Sequence, residues 1–177
     1  MNQINEKCTS LTKHFESLHD GDLTIIGLQP KMCPAGIWTE GYGNAIVDPL
    51  TGTFLKGSEN KGGASLLSDI YDETTAAKQL GKTLIKYSAL ASKVCDSMNM
   101  KFSEDKFSAL VSFAYNCGSG ALRKMLENYK NGMPIGNALL MYRFATIDGL
   151  KTELPGLIRR RKSEAWLFTT GELKFNF

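Results

Sequence analysis

No apolar run long enough for an export signal or a membrane span occurs in this chain of 177 residues. Within residues 1–22, Glu6, Lys7, Lys13, His14 and Glu16 interrupt every stretch that would need about 7–15 consecutive apolar positions. The expectation is a protein with no membrane span that does not cross a membrane unaided. Cysteine is sparse as well. Cys8, Cys33, Cys95 and Cys117 lie far apart, with no Cys-x-x-Cys pair and no His/Cys cluster. That spacing argues against a structural zinc site and favours reduced thiols, three of them small core residues. No metal and no cofactor is expected. Only five prolines occur, and there is no Pro- or Ser-rich linker, internal repeat or low-complexity tract. Nothing divides the chain, so 1–177 reads as one domain, long enough to bury about 70% of its unfolded surface. Charge is near balance, at +3 with a pI of 8.6. Such a field would assist approach to an anionic polymer. No nucleic-acid motif accompanies it, and the basic run near the C-terminus has no aromatic interleaving.

What is present is mainly periodicity. Ile4, Cys8, Leu11, Phe15 and Leu18 step by four and three, one face of a helix, with Gly21 ending the pattern. Residues 23–60 mix Leu23, Ile25, Ile37, Trp38, Tyr42 and Val47 with glycines and prolines, which suits short strands and tight turns. Asp48 to Gly52 reads as a hairpin turn, and Lys61-Gly62-Gly63 as a loop. Beyond Asp72, which reads as a cap by residue type, Leu80, Leu84, Tyr87, Ala91, Val94 and Met98 keep helical spacing. Ser103 reads as the next cap, opening a helix that buries Phe107, Leu110, Val111 and Ala114 and stops at Gly118. Further helical segments fall near 120–131, 135–145 and 155–170, closed by Gly132, Gly149 and Gly171. Early strands followed by helices give the α+β class. The expected architecture is a small β-sheet lobe (about 20–65) beside a larger helical lobe (about 70–177 plus the N-terminal helix), with a substrate cleft between them.

Glu16 follows the buried-face residue Phe15 near a helix C-terminus. It is therefore placed at the border of core and solvent, where partial burial and the helix dipole both favour a protonated acid. Downstream runs Cys33-Pro34-Ala35-Gly36-Ile37-Trp38-Thr39-Glu40-Gly41-Tyr42-Gly43. Together these resemble the active-site signature of the phage-type lysozymes, endolysins of glycoside hydrolase family 24: a helical Glu, then Asp or Cys, five residues, then Thr. The resemblance extends to Ser112 through Leu122, similar to the family's helix–turn–helix segment whose Asn and Gly (here Asn116 and Gly118) line the cleft. Leu154 through Phe168 is similar to its closing Gly-Leu-x-x-Arg-Arg-x-x-Glu helix.

The resemblance implies a lysozyme-like fold and a muramidase that cuts the β-1,4 bond between N-acetylmuramic acid and N-acetylglucosamine. Glu16 would be the acid, with Cys33 and Thr39 opposite it. Gly41, Tyr42, Asn116, Gly118 and Arg159 would contact substrate. It further implies a monomer acting on bacterial peptidoglycan, held in the host cytoplasm until a holin gives access to the wall. Two groups separated by a water would give inversion, whereas direct attack by Cys33 would give retention. A lytic transglycosylase, which needs only the Glu, and a non-catalytic wall-binding module are the alternatives.

Three features depart from the family's pattern. An unperturbed thiol is only a few per cent thiolate at pH 7, so Cys33 would be a poor base where the family usually has Asp. Asn44 and Ala45 stand where His and Thr are common. Sixteen residues (17–32) separate Glu16 from Cys33, where the common pattern has eight. That extra length is expected as a longer strand or hairpin. It carries His19, Asp20 and Asp22 towards the site, and Asp20 or Asp22 either supplies the missing carboxylate or forms Asx turns beside Gly21. In the basic run, Arg159 or Arg160 could face the cleft, with the rest pairing with Glu164 or meeting water. Trp38 alternates away from Thr39, which favours a core position over a sugar platform.

Overall fold

Helix α1 (Glu6–Glu16) buries Cys8 and Leu11, the centre of the expected apolar face, and Thr12 beside them. It is the first element of a computed structural model that describes residues 3–33, 35–147 and 149–177. Pro34, inside the signature, and Asp148 lie outside the described residues. The chain divides into two compact units, Glu16–Thr83 and Met1–Phe15 with Leu84–Phe177.

The Glu16–Thr83 unit carries a three-stranded antiparallel sheet: β1 (Lys31–Met32), β2 (Trp38–Glu40) and β3 (Asn44–Ala45), in that order. Lys31 pairs with Thr39 and Met32 with Trp38, and on the other side Thr39 pairs with Ala45. The turn expected at Asp48 to Gly52 forms, with the Gly52 N–H donating to Asp48 O at 2.8 Å and a bridge between Val47 and Phe54 behind it. Trp38 is buried with Ile46 and Ala64 against Leu55, and its Nε1–H donates to Gly57 O at 2.7 Å. Its role is packing. Ala64 belongs to α2 (Lys61–Leu67), so the expected loop at Lys61–Gly63 is instead the first turn of a helix. Each glycine costs about 1 kcal/mol of helix propensity. Packing of Ala64 into the cluster of Trp38, Ile46 and Leu55 offsets that cost, since tertiary packing supplies most helix stability.

Helix α3 (Glu73–Ser97) is capped as the sequence suggested. The Thr75 N–H donates to Asp72 Oδ1 at 2.7 Å, while Thr75 Oγ1 accepts from the Asp72 N–H at 3.2 Å. That is a reciprocal capping box. The division between the units falls within α3.

In the other unit, α4 (Glu104–Lys130) buries Phe107, Leu110, Val111 and Ala114 and is interrupted at Gly118, where φ is 81° and ψ 165°. Ser103 holds the cap position, but its side chain makes no capping bond. Helix α5 (Ile135–Leu140) is shorter than expected, because the chain turns into a hairpin of β4 (Phe144–Ile147) and β5 (Leu150–Glu153). The expectation that strands are confined to an early block therefore fails. Register pairs Ile147 with Leu150, and Gly149 takes φ 79° between the two strands, so it closes no helix. Helix α6 (Pro155–Thr170) ends at Gly171 in the left-handed conformation and packs on α4 and α5. The architecture is α+β, with two small antiparallel sheets among helices.

Candidate active site

Glu16 is the last residue of α1, and Ser17 stops the helix by taking φ 56°. This reversal begins the segment that leads to β1. Two residues later the His19 N–H donates to Gly41 O at 2.8 Å, pinning the segment to the end of β2. Gly43 takes φ 81°, and a Cβ there would stand 3.2 Å from Glu16 Oε2. Glycine thus serves twice: it adopts the left-handed backbone and lets the half-buried carboxyl lie against the main chain.

Thr39, in the middle of β2, is buried. Its hydroxyl donates to Lys31 O at 2.8 Å, and His19 Nδ1 lies 2.9 Å from the same oxygen. A hydroxyl has one proton and a carbonyl can only accept, so Nδ1 must be the donor in the second bond. Thr39 Oγ1 then retains one lone pair. His19 sits below its ordinary pKa of 6.5, first through burial and then through the Lys31 ammonium, with Glu16 pulling the other way.

Cys33 is a half-buried free thiol one step beyond β1. Its N–H donates to Ile37 O and its carbonyl accepts from the Gly36 N–H, each at 2.8 Å, which closes the β1–β2 turn. Residues paired across an antiparallel ladder share a face, and alternate residues along a strand return to it. Lys31 pairs with Thr39, so Cys33 shares the face of Thr39, while Met32 and Trp38 occupy the opposite one.

The 17–32 segment is neither strand nor hairpin until β1; it is a run of turns. Asp20 Oδ1 accepts from the N–H groups of Asp22 (3.2 Å) and Gln29 (3.3 Å). Asp22 Oδ1 accepts from Thr24 Oγ1 at 2.6 Å and from the Thr24 N–H at 3.1 Å, which lowers its pKa. Both carboxylates stitch the loop. Gly21 has no room for a side chain, since a Cβ would come within 2.0 Å of Pro30 O.

Gly41 takes φ 54° close against Ile70 and Ala76. Tyr42 is buried and its hydroxyl donates to Glu73 Oε1 at 3.2 Å, which makes it a packing residue of this unit. Two contributors escaped the sequence reading. His19, whose Glu16-x-x-His spacing is the one signal for it in the sequence, lies just past the turn that ends α1. Glu40 is buried beside Thr39, accepting from Ser68 Oγ (2.7 Å) and Asn44 Nδ2 (3.2 Å). Asn44 thereby gains a structural task.

The remaining candidates belong to the other unit. Asn116 is exposed near the end of the first segment of α4, and its Oδ1 accepts from an Arg161 amino group at 2.7 Å. Its amide NH2 is left as the group offered outward. Gly118 supplies the break in the helix, and nothing lies within 4 Å of the Cβ it lacks. Arg159 is exposed. Arg160 and Arg161 are buried with Glu164, at 3.2 Å from Nε to carboxylate oxygen in each pair. Among the described residues no helix is long and apolar enough to cross a membrane, and no group of three His, Cys, Asp or Glu is placed to hold a metal.

The Glu16–Thr83 unit therefore offers a carboxyl group, a hydroxyl with fixed bonding, and a thiol on the hydroxyl's face. A family model described as phage lysozyme matches residues 25–164, a span that includes Cys33, Thr39, Asn116 and Arg159 and begins after Glu16. The endolysin of Acyrthosiphon pisum secondary endosymbiont phage 1 is 25% identical over 169 residues, covering 93% of this chain and 97% of that one. Among solved structures, an endolysin from Escherichia coli phage FAHEc1 superposes with a TM-score of 0.70 at 23% identity, over 97% of this chain and 96% of that one. The muramidase domain of SpmX from Asticaccaulis excentricus does so at 0.68 and 24%, over 96% and 99%. These two share the fold.

Proposed function

We propose, since this chain belongs to the phage lysozyme family, that it is a peptidoglycan hydrolase cutting the β-1,4 bond between N-acetylmuramic acid and N-acetylglucosamine. The observation that carries the reading is the placement of a helix-end carboxyl and a pre-bonded hydroxyl in one small unit. Glycoside cleavage needs a proton for the leaving oxygen and a nucleophile on the other face of the sugar. Glu16 gives the proton. Thr39 holds a water through its remaining lone pair. That water attacks the anomeric carbon with inversion as the bond to the leaving oxygen breaks, and the proton it releases passes to solvent, from which Glu16 is reprotonated. Cys33, on the same face, borders the water. In the other unit, exposed Asn116 and Arg159 present polar and positively charged groups suited to an anionic polymer. Lysis of a bacterial host is the setting that the endolysin relatives support, with a holin giving access to the wall.

The test is digestion of purified peptidoglycan by wild type and by Glu16→Gln, with the released muropeptides weighed. Reducing muramic-acid ends, lost by about 10²–10⁴-fold in the variant, are the expected result, the usual contribution of a positioned acid. Anhydro ends, one water lighter, would move the reading to a lytic transglycosylase. Equal release by both proteins would remove Glu16 from the chemistry.

A further inference from the structure

We propose that His19 is the positioning residue of this site: its Nδ1–H holds the Thr39 hydroxyl in the one orientation that leaves a lone pair for the attacking water. The inference rests on the reading of Glu16 and Thr39 given above. It takes up the task left open at position 33, where a thiol stands in place of a carboxylate.

The geometry is over-determined. Thr39 Oγ1 donates to Lys31 O at 2.8 Å and receives His19 Nδ1–H at 2.9 Å, so both its proton and one of its two lone pairs are committed. Without His19 the hydroxyl could accept two water protons and would select neither. With it, a single acceptor site remains, and a water donating there turns its own lone pairs away from the threonine. The backbone holds the ring in place independently. The His19 N–H is bonded to Gly41 O at 2.8 Å, and the left-handed Ser17 delivers Glu16 and His19 from one reversal of the chain. The ring is half-buried; Lys31 on β1 and Glu16 at the end of α1 are the charged groups acting on it, and a bond to the Glu16 backbone also favours its protonated form. Its depressed pKa keeps it neutral at pH 7, so the bond to Thr39 adds no net positive charge opposite the carbon where cationic character develops.

The chemistry that tests this is specific to one ring nitrogen. An Asn side chain places its Nδ2–H near the position of Nδ1–H, whereas Leu fills the volume without a donor. On a soluble glycan oligomer, His19→Leu is expected to lower kcat by about tenfold, the worth of one positioned hydrogen bond, with KM changed less than about twofold. His19→Asn should recover to within about threefold of wild type. The double variant His19→Leu/Thr39→Val should be no slower than Thr39→Val alone, because His19 acts through that hydroxyl. Nitrogen NMR of the wild-type protein at neutral pH should find the neutral ring protonated on Nδ1, a readout that does not depend on any variant folding.

A ring protonated on Nε2 alone, wild-type kcat in His19→Leu, additive losses in the double variant, or failure of Asn to rescue would each overturn the inference. If Glu16→Gln is inactive while His19→Leu is unaffected, only this inference falls. If Glu16→Gln keeps the wild-type rate, the underlying reading falls with it.

Discussion

At the scale of single residues, Gly43 and His19 show how much of this site is set by groups that do no chemistry. A methyl at position 43 would stand 3.2 Å from Glu16 Oε2, on a backbone with φ 81°. Gly43→Ala should therefore lose about 1–2 kcal/mol of stability to backbone strain alone. Muropeptide release should fall further than this loss explains, because the carboxyl is pushed off the main chain. Urea unfolding beside the peptidoglycan assay separates the two effects, and a stable variant with full activity would refute the stated packing. His19 gives a pH prediction. Its folded pKa lies below 6.5, so the unfolded chain binds a proton that the folded one refuses between those values. Stability is complete above about 6.5 and declines as pH falls through that window, since protons then favour the unfolded state. Urea midpoints from about pH 8 to about pH 5 should fall less steeply in His19→Asn than in wild type.

At the scale of elements, the helices were the legible part. Cys8 with Leu11, and Leu80, Leu84, Ala91 and Val94 in α3 with Met98 just past its end, are buried where four-and-three spacing placed them. Asp72 also caps where a short polar side chain before an apolar period should. Helix α2 opens with two glycines after Lys61 and is held by burial of Ala64, a tertiary effect that local propensity cannot register. The β4–β5 hairpin was read through because the apolar residues near 135–145 continued a helical period, although Asp148-Gly149 is a strong turn signal. The 17–32 segment looked extended from its β-branched residues, yet Ile25 and Ile26 are exposed and Asp20 and Asp22 close turns instead. In the site, Glu16, Cys33 and Thr39 were legible as a motif. The Thr39–His19 bond was not, because it joins a loop to a strand across twenty residues. Gly118 gives the prediction at this scale. With φ 81° and ψ 165° it lies in a region that only glycine enters freely, and open space surrounds the missing side chain. Gly118→Ala should cost about 1–3 kcal/mol through backbone strain and nothing through steric clash. An equal cost for Gly118→Ala and Gly118→Ser in thermal melts would bear this out, and a clear excess for Ser would point to crowding.

At the scale of the whole molecule, the larger unit is made from both ends of the chain, and a buried charge cluster ties them. Glu164 on α6 is fully buried, accepts from Ser112 Oγ on α4 at 3.0 Å, and sits between the guanidinium groups of Arg160 and Arg161. Arg161 reaches on to Asn116 and to Cys117 Sγ, and Arg160 to the Ser112 carbonyl. Cys8 of α1 lies close enough that Glu164 helps raise its thiol pKa, which burial chiefly pushes up to about 12. One carboxylate thus neutralises half the charge of a pair of buried arginines and braces the candidate substrate residue Asn116. Such a cluster need not stabilise the fold relative to apolar residues of the same size, but removing one member leaves charge buried and uncompensated. Glu164→Gln keeps the shape and deletes the charge, so it should cost about 3–5 kcal/mol, against a total stability on the order of 5–15 kcal/mol. The control is Glu153→Gln, which breaks the partly exposed pair with Arg143 and should cost no more than about 1 kcal/mol. Parallel urea titrations of the two variants give the comparison. Similar small losses would mean that water reaches Arg160 and Arg161, whereas the expected gap would make Glu164 the electrostatic keystone of the larger unit.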